Sequence, residues 1–208
     1  MRKRNAVTVM LFLAAMQCAA QRPVLPPSIV RSHSVVVLGG LSWPLSHDGL
    51  TQYWGSGPAL SVEVLKAVSP VVSLGFDLEG AAYWFRGPVF ATAYPKLPFK
   101  NPAVAQVIAG VVGRFTLAPG KKFAPYIGGM IGFSHMTGAE YRLETDSGHV
   151  TYYNIPFQTR LAASLYGGVE YRVSRVFALE AEARALYVND DPDVGVTAVV
   201  RAGLRVFF

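Results

Sequence analysis

From Gly195 to Phe208 the chain reads GVTAVVRAGLRVFF, with hydrophobic residues at alternate positions. Val196, Ala198, Val200, Ala202, Leu204, Val206 and Phe208 share one side of an extended backbone. Thr197, Val199, Arg201, Gly203, Arg205 and Phe207 share the other. Strand side chains alternate faces with period two, so this is a strand with one apolar and one polar face. In water, an apolar edge strand at a chain end invites aggregation and fraying. Pairing with the first strand of a closed barrel removes both problems, and that role is expected here.

The same alternation predicts seven more strands. Val35–Leu41 is apolar or glycine on both faces. Ala59–Val68 sets Leu60, Val62 and Val64 against Glu63, and Val71–Phe85 sets Val72, Leu74, Phe76 and Leu78 against Ser73, Gly75, Asp77 and Glu79. Ala103–Leu117 sets Val107, Ala109, Val111 and Phe115 against Gln106, Gly110, Arg114 and Thr116. Phe123–Ser134 places Ile127, Ile131 and Phe133 together. In Gln158–Val173, Leu161, Ala163, Leu165, Val169 and Tyr171 oppose Arg160, Ser164, Tyr166, Glu170 and Arg172. In Val176–Tyr187, Phe177, Leu179, Ala181, Ala183 and Ala185 oppose Glu180, Glu182 and Arg184.

Long connections (Ser42–Gly57, Arg86–Pro102, His135–Pro156, Asn189–Asp193) alternate with tight ones at Ser69-Pro70, Pro119–Lys122 and Ser174-Arg175. An even strand number with this alternation is the pattern of outer-membrane barrels. The expected fold is all-β: an eight-stranded antiparallel up-and-down transmembrane β-barrel over residues 35–208, with both termini on the periplasmic side. Tyr83, Trp84, Phe85 and Tyr187 are expected at one membrane interface, and Phe123, Tyr126, Phe177 and Phe208 at the other.

Periodicity alone leaves inside and outside undecided, because a soluble lipocalin-type barrel is built from the same meander. Strand composition favours the membrane. Only Lys66 lies within the expected strands, whereas a solvated sheet face carries several lysines and a confined interior favours arginine paired to carboxylate. The expected lumen charge network comprises the acids Glu63, Asp77, Glu79, Glu170, Glu180 and Glu182 and the arginines Arg114, Arg160, Arg172, Arg184, Arg201 and Arg205. A lumen this narrow must neutralise its charges internally, because an unpaired buried charge costs several kcal/mol.

Arg2, Lys3 and Arg4, an apolar run from Ala6 to Met16, and small residues at Cys18–Ala20 have the layout of a cleavable signal peptide over residues 1–20. The apolar run is too short to cross a bilayer as a helix. Cys18 is expected to leave with the signal, since Gln17 occupies a position where lipidation sites carry a small residue. No cysteine remains for a disulfide. Residues 21–34 form a proline-rich lead-in. Half of the formal net charge of +6 leaves with the signal, and the remaining basic residues are scattered, which argues against a nucleic-acid partner. No dinucleotide, phosphate or metal motif is present, and His33, His47 and His149 are isolated, so no cofactor is expected.

In its signal, its four long loops, the segment FAPYIGGMIGF (Phe123–Phe133) and its terminal Phe208, the chain resembles the small outer-membrane β-barrel family. That family includes OmpX, the membrane domain of OmpA and the neisserial opacity proteins. The resemblance covers essentially the whole mature chain. It implies residence in the outer membrane of a Gram-negative-type bacterium, with outer-membrane lipid and the barrel-assembly machinery as partners. In that family the machinery reads a terminal aromatic preceded by alternate apolar residues, and Phe208, Val206, Leu204 and Ala202 match.

The function expected is structural or surface-interacting, without catalysis, with a surface ligand met by loop aromatics such as Trp43, Tyr53, Trp54, Tyr141, Tyr152 and Tyr153. Two alternatives stay open. One is a narrow barrel passing small or hydrophobic molecules, which needs an apolar interior. The other is an enzyme like the lipid A deacylase barrels, with His135, Thr137 and Glu140 in SHMTGAE as base, nucleophile and orienting acid. Those enzymes carry serine where this chain has Thr137 and asparagine where it has Gly138.

Overall fold

A computed structural model describes residues 32–46, 54–86, 104–137, 140–144, 150–154, 158–190 and 193–208. The expected signal and most of the proline-rich lead-in lie outside the described residues. The strands are β1 (His33–Ser46), β2 (Gly57–Ala67), β3 (Val72–Tyr83), β4 (Val104–Thr116) and β5 (Phe123–Met136). They continue with β6 (Glu140–Glu144), β7 (Val150–Asn154), β8 (Gln158–Arg172), β9 (Phe177–Asp190) and β10 (Asp193–Phe207). Eight of them close into an antiparallel barrel in the order β1-β10-β9-β8-β5-β4-β3-β2, while β6 and β7 pair as a separate hairpin.

The terminal strand does close the barrel. β10 pairs with β1 from Ser34↔Phe207 to Ser46↔Val196. Beyond the ladder, Phe208 and His33 exchange backbone hydrogen bonds at 3.0 and 3.2 Å, and their rings stack 6.1 Å apart. Opposed residues lead from Ser34 through Leu65, Gly75, Val112, Met130, Ser164, Leu186 and Thr197 back to β1 at Pro44. The stagger is therefore the distance from position 34 to position 44 on one strand. With strands about 4.8 Å apart and a rise of about 3.3 Å per residue, that stagger tilts the strands by roughly 40° and gives a radius of about 8 Å. Side chains from opposite walls meet across such a bore.

One end is closed by tight turns with local chemistry. The β2–β3 and β8–β9 connections, Val68-Ser69-Pro70-Val71 and Val173-Ser174-Arg175-Val176, are built alike. Ser69 Oγ accepts from the amides of Val71 (3.3 Å) and Val72 (3.0 Å), and Ser174 Oγ accepts from Val176 (3.2 Å). In the β4–β5 turn, Lys121 N–H donates to Ala118 O at 3.3 Å, with Pro119 and Gly120 between them. Gly120 has φ +76°, the left-handed region that the third position of a type II turn requires.

At the other end, three expected loops shorten. β1 runs on to Ser46, taking Ser42–Ser46 from the expected loop, because β10 offers partners as far as Val196. Pro44, which lacks an N–H, sits beside a register shift before Ser46. Asn189–Asp193, expected as a loop from its polar residues, is mostly strand: Asp190 pairs with Asp193. The expected His135–Pro156 loop contains the β6–β7 hairpin, with Tyr141 opposite Tyr153 and Arg142 opposite Tyr152. Much of Ser42–Gly57 and Arg86–Pro102 lies outside the described residues.

Candidate functional site

The two faces of the wall decide where this barrel resides. Phe76, Ile131 and Leu165 are 69%, 74% and 66% exposed on the outside, in continuous rows with Leu60, Leu78, Val111, Phe133 and Leu161. Glu63, Arg114, Arg184 and Arg201 are buried inside. Water outside would leave that apolar belt unsatisfied and the charges needlessly desolvated. Lipid outside satisfies the first, and internal pairing satisfies the second. The lipocalin-like alternative has its faces reversed. This is a transmembrane β-barrel.

Its interior is organised around two arginines that reach across the bore. Arg184 on β9 donates from Nη2 to Glu63 Oε1 (2.9 Å) and from Nη1 to Glu79 Oε2 (3.0 Å) and Asp77 Oδ2; its Nε donates to Glu182 Oε1 at 3.2 Å. β9 and β3 stand on opposite walls, with three strands between them either way round. The Arg184–Asp77 and Arg184–Glu79 pairs therefore span the full diameter. Arg201 on β10 bonds the same acids: Glu79 at 2.8 Å, Glu63 at 3.2 Å and Glu182 at 2.8 Å.

Toward the tight-turn end a second group forms. Arg114 makes a two-pronged bond to Glu180, 2.8 Å on each prong, and lies 3.8 Å over the Tyr126 ring. Tyr126 in turn donates to Glu180 at 3.1 Å and Glu182 at 3.2 Å. Arg205 bonds Glu170 at 2.8 Å and Ser34 at 3.0 Å, and Arg172 bonds the other oxygen of Glu170 at 2.9 Å. Both arginines lie over Phe207, at 4.7 and 4.5 Å from its ring centre.

Room for these side chains comes from glycine. Gly128 faces Tyr166 across the β5–β8 ladder, and Gly168 faces Tyr126. A Cβ on Gly128 would stand 2.2 Å from Tyr166, and one on Gly168 2.6 Å from Tyr126. Gly128 of the FAPYIGGMIGF segment and Gly168 of β8 thus let Tyr166 and Tyr126 lie flat against the wall beneath Arg184 and Arg114. At the loop end the polar interior gives way to a plug. Tyr83 bonds Gln106 at 2.8 Å and Ser42 at 3.1 Å, and Gln106 bonds Ser134 at 2.8 Å. Above them Trp54 packs buried with Tyr83, Val104 and Val199, edge-on to Phe85 at 5.4 Å.

Eleven of the twelve residues expected in the lumen network come together this way. Arg160 stands apart at the loop-end rim, bonded to Gln158 at 2.5 Å and to the Asn189 carbonyl at 3.4 Å. The stagger places it in line with Ser134, two steps above the ionic layer. Six carboxylates then meet five guanidiniums, so the described interior is acidic rather than balanced. Glu63 Oε2, Asp77 Oδ1 and Glu79 Oε1 have no hydrogen-bond donor among the described residues.

Three expected girdle residues are corrected. Tyr83 and Tyr126 point inward and are buried, because each lies in phase with the polar residues of its strand. Phe85, in phase with Tyr83, packs against the buried loop-end cluster instead of the lipid face. Trp84, Tyr187, Tyr171 and Phe208 face outward. Ala202, Leu204, Val206 and Phe208 also line the outer face, and Ile108, Val112 and Leu186 are inward apolar residues that the pattern did not single out.

Of the candidate catalytic group, the Thr137 hydroxyl is held by β4: it accepts from Ala105 N–H (3.0 Å) and donates to Ala105 O (3.1 Å). His135 Nδ1 lies 2.9 Å from Thr159 Oγ1. The Glu140 side chain lies outside the described part. Among the described residues no group of three His, Cys, Asp or Glu side chains is arranged to hold a metal ion.

No family model and no curated protein matches the sequence. Solved structures do match its fold. The chain is similar to neisserial surface protein A, with TM-score 0.56 at 16% identity, covering 85% of this chain and 97% of that one. It is also similar to the outer-membrane protein OprG of Pseudomonas aeruginosa, with TM-score 0.52 at 10% identity, covering 86% and 97%. Ail, the attachment invasion locus protein of Yersinia pestis, aligns at TM-score 0.49 and 13% identity over 85% and 99%. The fold is that of the small eight-stranded outer-membrane barrels.

Proposed function

We propose that this protein is an exported barrel of a Gram-negative-type outer membrane that performs no catalysis and acts at the cell surface through the loops opposite its tight turns. The observation that carries this reading is the diametric closure of the bore by Arg184 with Asp77 and Glu79. A bore filled from wall to wall supports a scaffold, not a conduit, and moves recognition to the loops. The β6–β7 hairpin makes the loop between β5 and β8 a structured element suited to contact. Ala202, Leu204, Val206 and Phe208 are the residues proposed to be read by the barrel-assembly machinery.

The test compares cells displaying the intact barrel with cells in which residues 138–157 are replaced by a short Gly-Ser turn. Retention on protein-coated glass should fall in the variant while its heat-modifiable gel mobility persists. Unchanged retention, together with dye uptake by vesicles carrying the intact protein, overturns the reading in favour of transport. Release of fatty acid from lipid A that disappears in Thr137→Ala overturns it in favour of an enzyme.

A further inference from the structure

The tight-turn end of the barrel is ringed by basic side chains. Lys66 ends the outward row Leu60, Val62, Val64 on β2 and is exposed, as is Arg175 in the β8–β9 turn. Lys121 and Lys122 close the β4–β5 turn, and the Lys122 ammonium sits 5.1 Å over the outward-facing Tyr171 ring. Residues 66–72, 116–123 and 172–177 contain no aspartate or glutamate. The acid nearest to this rim in the barrel wall, Glu170, is buried and bonded by Arg172 and Arg205.

We propose that this rim binds the anionic headgroups of the phospholipid leaflet it touches. Three features point to lipid. The charges occur at the β2–β3, β4–β5 and β8–β9 connections, which are spread round the circumference, so they form a ring and not a one-sided docking patch. The turns are too short to project, and their cations stay at headgroup depth. The Lys66 stem continues the lipid-facing row, an arrangement in which the apolar stem lies along hydrocarbon and the ammonium reaches the phosphate. Tyr171 and Phe208 mark the same interface. Cations so placed attract acidic lipid within about a Debye length of the surface.

The test reconstitutes the protein in phosphatidylcholine vesicles doped with spin-labelled phosphatidylglycerol or spin-labelled phosphatidylcholine, and reads the motionally restricted fraction of each. The expected result is at least about twofold enrichment of phosphatidylglycerol beside the barrel, reduced at high salt. It should fall to near parity in Lys66→Gln/Lys122→Gln/Arg175→Gln. Parity in the parent protein, or a preference untouched by the triple substitution, overturns the proposal. So does sedimentation with purified peptidoglycan sacculi that the triple substitution abolishes, since the rim would then serve the wall polymer. Heat-modifiable mobility, read on the same samples, separates these outcomes from failure of the barrel to insert. If the triple variant does not fold, the salt dependence of the parent and the single variants Lys66→Gln and Arg175→Gln decide the matter.

Discussion

At the scale of single residues, the interior is governed by charge count and by space. Arg184 is the shared partner of Glu63, Asp77, Glu79 and Glu182, and its side chain is fully enclosed. Arg184→Met removes one of five guanidiniums from among six carboxylates and is expected to cost roughly 3–5 kcal/mol, because the acids remain and lose their counter-charge. Asp77→Asn acts on the side already in excess, keeps an acceptor for Arg184, and should stay within about 1 kcal/mol of the parent. Urea unfolding from lipid vesicles reads both. A tolerated Arg184→Met would mean that the network contributes little to holding the wall together. Space is the second control. Gly128→Ala pushes a methyl into the Tyr166 ring, whose hydroxyl is tied to Gly113 O at 3.1 Å, and should cost roughly 1–3 kcal/mol in the same assay. These charged residues were legible in the sequence as the polar phase of each strand. Their partners were not, since Arg184 and Glu63 are 121 positions apart and meet only because the sheet closes.

At the scale of the strand, depth in the bilayer sets the cost of a change. Val111 lies near the middle of β4, 57% exposed, while Leu117 lies just past its end at the tight-turn rim. Val111→Arg is expected to cost roughly 2–4 kcal/mol and Leu117→Arg less than about 1 kcal/mol, because a charge near the interface reaches water and headgroups. Equal costs in vesicle-based unfolding would contradict the membrane placement of the outer rows. The strand faces followed directly from alternation in β2, β3, β9 and β10. Strand ends did not, because turn-like composition such as Pro44 or Asn189–Asp193 is overridden when a neighbouring strand offers a full ladder of hydrogen bonds.

At the scale of the whole molecule, closure is the property to measure first. Unheated protein in detergent should migrate as a compact species that shifts only on boiling, with β-rich circular dichroism before the shift. A β-rich monomer in plain buffer without detergent would mean that the apolar rows face inward. Alternation along the chain determined that there are strands, how many enter the barrel, which residues share a face, and that the last strand carries a face suited to closure. It did so because a strand's side-chain period is a local property of extended backbone. Which face looks outward was indicated by the scarcity of lysine in the strands; which arginine meets which acid, and that six carboxylates surround five guanidiniums, were decided only by the tertiary structure. Those facts depend on the stagger around the ring, which brings distant residues to one height and is written in no single stretch of sequence.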